Sequence, residues 1–153
     1  MKNFSVIATI SISVLLFLVS LLLPAFYTRD EGIPGWFALL LGWFDLLAID
    51  QVGFGVLSWF ANLFLPVAWL GLALGKFRRV RIGGLILVIV GLGFALCSLF
   101  LKQILISTGG DPTPIISMGI GFYVWLASFV VCIVGYIFTI TTDALSAKKN
   151  GAV

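Results

Sequence analysis

The sequence contains no histidine and few charged residues, and each shortage excludes a class of function. Charged residues make up 10% of the 153 residues, whereas soluble domains have about 25%. Without histidine, the chain lacks the commonest general base, the commonest metal ligand and the usual axial haem ligand. Its two cysteines, Cys97 and Cys132, form no C-x-x-C pair. We therefore predict no catalytic site, no metal site and no cofactor, in a protein that is not an enzyme.

Hydrophobic residues, in contrast, make up 61% of the chain, whereas soluble domains have about 45–50%. A soluble globule with so few charges could not cover its own surface with polar groups. This composition excludes a soluble enzyme, a nucleic-acid-binding protein and a disordered chain, and it indicates that the lipid bilayer is the solvent.

Four apolar runs are long enough to cross a hydrocarbon core about 30 Å thick as helices. The predicted spans are residues 4–26, 52–75, 82–101 and 115–141. The first run is longer than the apolar part of a cleaved signal peptide and lacks its cleavage site, so we predict that it is retained. The predicted fold class is all-α, an integral membrane four-helix bundle in which residues 1–142 form one transmembrane domain and residues 143–153 a cytoplasmic tail.

A fifth apolar run, residues 33–49, decides the topology. If it does not span, seven of the nine Lys and Arg residues share a side with both termini, and only Arg29 and Lys102 lie opposite. If it spans, the basic link at residues 76–81 lies on the side opposite Lys2. The positive-inside rule favours the first arrangement. We therefore predict an additional helix at 33–49 on the outer face, interfacial or re-entrant, and both termini in the cytoplasm.

The 33–49 helix is predicted to have two different faces. At about 100° per residue, one face carries Trp36, Leu40, Trp43 and Leu47, and another carries Gly35, Ala38, Gly42 and Asp45. Two tryptophans seven residues apart are typical of a segment at the headgroup boundary.

Each predicted span also carries small residues on one face, which is how helices pack closely in lipid. These residues are Ser5, Thr9, Ser13 and Ser20; Gly55, Ser58 and Asn62; Gly84, Gly91, Ala95 and Ser98; and Gly121, Ser128, Cys132, Gly135 and Thr139. We interpret them as packing faces; a substrate path lined by hydroxyl groups is the alternative.

Four residues are candidates for a polar contact or a binding site: Asn62, Asp45, Asp50 and Trp59. Asn62 lies in the middle of the second span, four residues before Pro66, whose missing amide frees the carbonyl of residue 62. Its side chain has two alternatives, a structural hydrogen bond to a serine or threonine of another helix and a contact with a ligand or partner. Asp45 and Asp50 fall near the outer interface, where a helix-boundary role and a binding role are both open.

The densest charge cluster is Lys76, Arg78, Arg79 and Arg81. We predict that it forms a short cytoplasmic basic loop in contact with anionic lipid headgroups. Membrane topology explains this placement better than a nucleic-acid partner.

Two sequence segments carry a resemblance to other proteins. Residues 34–43 read PGWFALLLGW and residues 58–62 read SWFAN. Over about residues 20–75 the chain resembles small bacterial inner-membrane proteins of uncharacterised function. This resemblance implies a four-helix protein of the bacterial inner membrane, and it carries no function that could be transferred.

Two functions of different classes fit these observations. The first is a non-catalytic membrane protein, an accessory subunit or an immunity-type protein, that acts through helix–helix contacts with another membrane protein or a second copy. The alternative is a small-solute transporter or channel formed by oligomerisation. Proton-driven transport is disfavoured, because none of the four long spans contains a carboxylate at its midplane.

Overall fold

The computed structural model describes residues 2–29, 31–45, 53–75, 77–104 and 113–150, and this part of the chain is mainly helical. The helices are α1 (Lys2–Leu22), α2 (Gly35–Asp45), α3 (Ala61–Leu74), α4 (Arg78–Leu96) and α5 (Ile120–Asn150). A 3₁₀ segment, Phe54–Phe60, leads into α3, and another, Cys97–Phe100, follows α4. Within the described residues, four helical stretches are long and apolar enough to cross a membrane: Phe4–Leu22, Phe54–Leu74, Arg78–Phe100 and Ile120–Ser146. The predicted all-α class is confirmed.

The four long helices pack through small residues and a few hydrogen bonds. α5 lies against α1 and α4, and α4 also lies against α3. The Trp69 indole on α3 donates to the Ser13 hydroxyl on α1 at 2.9 Å, and Ser13 donates to the Ser128 carbonyl on α5 at 2.8 Å. The Tyr136 hydroxyl donates to the Ala68 carbonyl at 2.6 Å, and a Cβ at Gly84 would clash with that hydroxyl.

Burial agrees with the predicted packing faces in part: Ser5, Thr9, Ser58 and Asn62 are half-buried, and the other predicted residues are buried. The buried small residues include Ser13 and Ser20 on α1, Gly84, Gly91 and Ala95 on α4 with Ser98 after it, and Gly121, Ser128, Cys132, Gly135 and Thr139 on α5. They lie where two helices meet, because small side chains let helix axes approach closely.

The bundle has two distinct ends. At the terminal end, α1 begins, α5 ends and the link between α3 and α4 turns; the Arg81 guanidinium forms an ion pair with Asp143 there. At the loop end lie the links between α1 and α2 and between α4 and α5, together with five short strands.

The strands are β1 (Pro24–Tyr27), β2 (Gly32–Pro34), β3 (Gln103–Ile104), β4 (Thr113–Pro114) and β5 (Ser117–Met118). They form an antiparallel sheet of order β2-β1-β5, in which Phe26 faces Met118, and a separate β3-β4 pair. A small second core of Ala25, Phe26, Ile33, Val56, Leu101 and Ile104 lies at this end.

The sheet corrects two predicted span ends. The first span was predicted to reach residue 26, but α1 ends at Leu22, because Pro24 has no amide hydrogen to continue the helix. The last was predicted to start at residue 115, but α5 starts at Ile120. Over 115–119 the backbone instead donates to β1, from the Ile116 and Gly119 amides to the Tyr27 and Ala25 carbonyls at 2.8 Å each.

The helix α5 continues to Asn150, so residues 143–150 of the predicted tail are helical. Helix-forming alanine, leucine and lysine residues make up most of this segment. The ion pair of Asp143 with Arg81 also fixes the beginning of the segment against α4.

The two predicted faces of α2 are confirmed over the part of this helix whose side chains the structure describes. Trp36, Leu40 and Trp43 are exposed, whereas Gly35 packs against the end of α1 and Gly42 against Trp59. The rest of the predicted 33–49 segment, from residue 46 on, lies outside the described residues.

Candidate functional site

A cavity of about 90 Å³ lies at the loop end of the bundle. It is enclosed by the inner face of α2, the residues from Val56 to Asn62, and the first turns of α5, with the ends of α1 and α4 completing its wall. Most of the lining is apolar, and the described residues that form it include no ionisable side chain. A charged group entering this space would therefore find no counter-charge.

Two close backbone approaches bring these elements together. α2 starts against the last turn of α1, because Gly35 has no Cβ that would clash with the Ser20 carbonyl. Gly55 lies against the Leu101 backbone, where a Cβ would be 2.5 Å from the Leu101 amide nitrogen. A larger residue at either position would push apart the walls of the cavity.

Trp59 and Asn62, both predicted as candidate site residues, line this cavity. The Trp59 indole donates to the Leu39 carbonyl at 2.9 Å and so ties α2 to the 3₁₀ segment. The Asn62 side-chain nitrogen donates to the Trp59 carbonyl at 3.1 Å. The amide nitrogen thus binds the preceding turn, and the two predicted alternatives for this side chain, a serine or threonine of another helix and a ligand or partner, stay predictions. Its side-chain oxygen takes no part in that bond and is available as an acceptor.

Trp125 is the feature of this site that sequence reasoning missed. Its ring lines the cavity, and its indole nitrogen is buried without a hydrogen-bond partner among the described residues. An unpaired buried donor costs about 1–3 kcal/mol. The available sequence signal was an indole N–H inside an apolar span, but only the fold could show that no carbonyl reaches it.

The two aspartates are not brought to the cavity by anything the structure describes. Asp45 is the last residue of α2, and its side chain lies outside the described part of the chain. Asp50 also lies outside the described residues. Among those that are described, no group of three or more His, Cys, Asp or Glu residues is placed to hold a metal ion.

The predicted basic loop is corrected to a helix start. Arg78, Arg79 and Arg81 lie in the first turns of α4, and Lys76 is outside the described residues. Arg78 and Arg79 are exposed, as headgroup contact requires. Arg81 is buried: its Nε donates to the Gly75 carbonyl at 2.7 Å, and its Nη1 pairs with Asp143. Arg81 thus stabilises the terminal end of the bundle and is not a surface charge.

No protein-family model, curated protein or solved structure matches the chain.

Proposed function

We propose that the chain is a multi-pass membrane protein without catalytic activity that acts through helix–helix contacts with another membrane protein. The observation that supports this most directly is the apolar outer surface of all four long helices. Phe4 is 79% exposed, Leu15 61%, Leu70 59% and Val134 59%. Contiguous apolar patches of more than a few hundred Å² are rare on soluble monomers, but lipid tails or partner helices cover such side chains without cost.

The proposed orientation places both termini in the cytoplasm of a bacterial cell, with the protein in its inner membrane. Six of the nine Lys and Arg residues lie on helices at the terminal end of the bundle: Lys2, Arg78, Arg79, Arg81, Lys148 and Lys149. Arg29 and Lys102 lie at the loop end. Basic residues are retained on the cytoplasmic side, so the loop end faces outward and the α2 tryptophans lie at the outer headgroup boundary.

Contacts with a partner are favoured over a solute path through the chain by the way the bundle uses its polar groups. Inside the four-helix core, Ser13 and Tyr136 donate to carbonyls of neighbouring helices, and Thr139 donates to its own helix. These hydroxyls are committed to packing, and the outward faces remain for contact with other proteins.

The outer face of α4, defined by Gly83, Ile86, Val90 and Gly93, is the face best suited to a partner helix. All four residues are exposed, and a Cβ at Gly83 or Gly93 would meet nothing within 4 Å. In lipid, helices associate where small residues allow close approach. We propose that a helix of another membrane protein packs against this face.

Copurification after extraction in a mild detergent tests the proposal. The expected result is a stoichiometric partner that remains bound through size-exclusion chromatography. A lone monomer, together with solute or ion flux after reconstitution into liposomes, would contradict the proposal and support the transporter alternative.

A further inference from the structure

The cavity at the loop end combines features that point to a particular class of ligand. We propose that it binds the glycerol-ester region of one membrane lipid, with the ester carbonyl accepting a hydrogen bond from the Trp125 indole and the first part of an acyl chain against the apolar wall. This inference rests on the proposed membrane placement but needs no protein partner.

The size of the cavity limits what can enter it. A cavity needs a volume of only about 10–15 Å³ to hold a single water molecule, and an apolar cavity of about 150 Å³ holds benzene. At about 90 Å³, the space has room for an ester group and a short length of hydrocarbon. The rest of the lipid remains outside.

The lack of charged side chains in the described lining determines which part of a lipid can enter the cavity. The described residues that line the cavity are aromatic, aliphatic, glycine, serine and asparagine residues, and none of these described residues is ionisable. A phosphate would lose its hydration there without gaining a counter-charge. The region that fits is the uncharged ester segment, whose carbonyl needs a donor and whose methylene groups need apolar surface.

The polar groups at the cavity match an ester carbonyl. The Trp125 indole nitrogen is a buried donor without a protein partner, and its ring forms part of the cavity wall next to Phe122. Because the nitrogen is covered, we include in the proposal a turn of the indole that presents the N–H to the carbonyl. The Ser58 hydroxyl, also in the lining, supplies a second polar contact.

The location fits the same ligand. In the proposed orientation the loop end lies at the outer headgroup boundary, the depth at which lipid esters are found. The exposed α2 tryptophans, Trp36 and Trp43, lie on the opposite face of the helix that encloses the cavity. Such interfacial tryptophans hold a helix at that depth.

Native mass spectrometry of the purified full chain in detergent tests the proposal by competition between two probes. These are 1-palmitoyl-2-oleoylglycerol, which has two ester carbonyls, and the dialkyl ether analogue with the same chains, which has none. We expect the ester lipid to bind about threefold to tenfold more tightly, which corresponds to one hydrogen bond. Trp125→Phe, which keeps an aromatic ring but removes the N–H, is expected to abolish this preference.

Trp69→Phe is the matched control. It removes an indole N–H that is already bonded to Ser13, so it should lower thermal stability while the ester preference remains. Trp125→Phe removes no hydrogen bond to the protein, so any loss of stability in lipid-free detergent comes only from the smaller ring packing against Phe129. Ala38→Leu places a larger side chain of α2 in the cavity and should weaken the binding of both lipids. This variant still tests the proposal if Trp125→Phe fails to fold.

Equal binding of the ester and ether lipids by the unmodified protein would overturn the proposal. An ester preference that survives Trp125→Phe would also overturn it. Binding of neither lipid would overturn it too, and would indicate that water or a side chain of a partner occupies the cavity. The ester preference is measured without a partner, so its failure is distinct from failure of the copurification experiment.

Discussion

Arg81 shows how the same residue type has different roles at neighbouring positions. Arg78 and Arg79 are exposed at the start of α4, while Arg81 is buried and binds the Gly75 carbonyl and the Asp143 carboxylate. The sequence places all three in one basic cluster. Only the contact with α5, more than 60 positions away along the chain, distinguishes the buried one.

The first prediction concerns this ion pair. Asp143→Asn leaves the buried Arg81 charge without its counter-charge. Breaking a fully buried pair costs about 3–5 kcal/mol, and because the Asp143 side chain is partly exposed we expect a loss of about 1–3 kcal/mol. The measurement is the free energy of unfolding in detergent, followed by circular dichroism. Arg79→Gln is the control, and a loss no larger than that of this exposed variant would contradict the assignment.

The second prediction concerns the hydroxyl of Tyr136. This buried group donates to the Ala68 carbonyl at 2.6 Å and joins α5 to α3. Tyr136→Phe should lower the free energy of unfolding by about 0.5–1.5 kcal/mol, the usual net contribution of one hydrogen bond. Tyr123→Phe, at an exposed position of the same helix, should have no effect. Equal effects of the two variants would show that the interhelix bond does not contribute.

At the scale of elements, the helices were predictable and the strands were not. An apolar run of about 20 residues is a strong signal for a helix in lipid, and all four such runs are helical over most of their predicted length. The strands are two to four residues long. Such segments are too short to show alternation, and β1 pairs with β5 some 90 positions away.

The cavity was predictable only in part. Trp59 and Asn62 were candidates because a tryptophan and an amide side chain stand out within an apolar span. Trp125 was missed, because whether an indole N–H has a partner depends on which carbonyls the tertiary fold brings close. The bond from Trp59 to α2 depends in the same way on contacts that no local pattern encodes.

The third prediction belongs to the outer face of α4. Gly93→Leu adds bulk at an exposed position where a helix partner could otherwise approach closely. We expect it to reduce the amount of copurified partner at least fivefold without changing thermal stability. Ala73→Leu adds similar bulk at an exposed position of α3 and should leave the partner bound. Partner recovery that is unaffected by Gly93→Leu would remove this face from the proposal.

At the scale of the whole molecule, charge placement and packing lead to the same arrangement. The ion pair of Arg81 with Asp143 places the link between α3 and α4 beside the end of α5. The contacts of Gly121 with Ser20 and of Gly135 with Thr9 show that α1 runs antiparallel to α5, so α1 begins at the end of the bundle where α5 ends. The beginning of α1, the end of α5 and most of the described basic residues therefore share one end of the bundle, which is the arrangement that the positive-inside rule predicts for the proposed four-span topology.

In the proposed four-span topology, Glu31 before α2 and Phe54 before α3 lie on the same side of the membrane. The most direct test is labelling of single cysteines by a membrane-impermeant maleimide in intact cells, in a variant with Cys97 and Cys132 replaced by alanine. The four positions, Glu31, Phe54, Phe77 and Ser146, are all exposed. We predict that Glu31→Cys and Phe54→Cys react from outside, and that Phe77→Cys and Ser146→Cys react only after permeabilisation. Reaction of Glu31→Cys and Phe54→Cys from opposite sides would show that residues 33–49 span the membrane and would contradict the four-span topology.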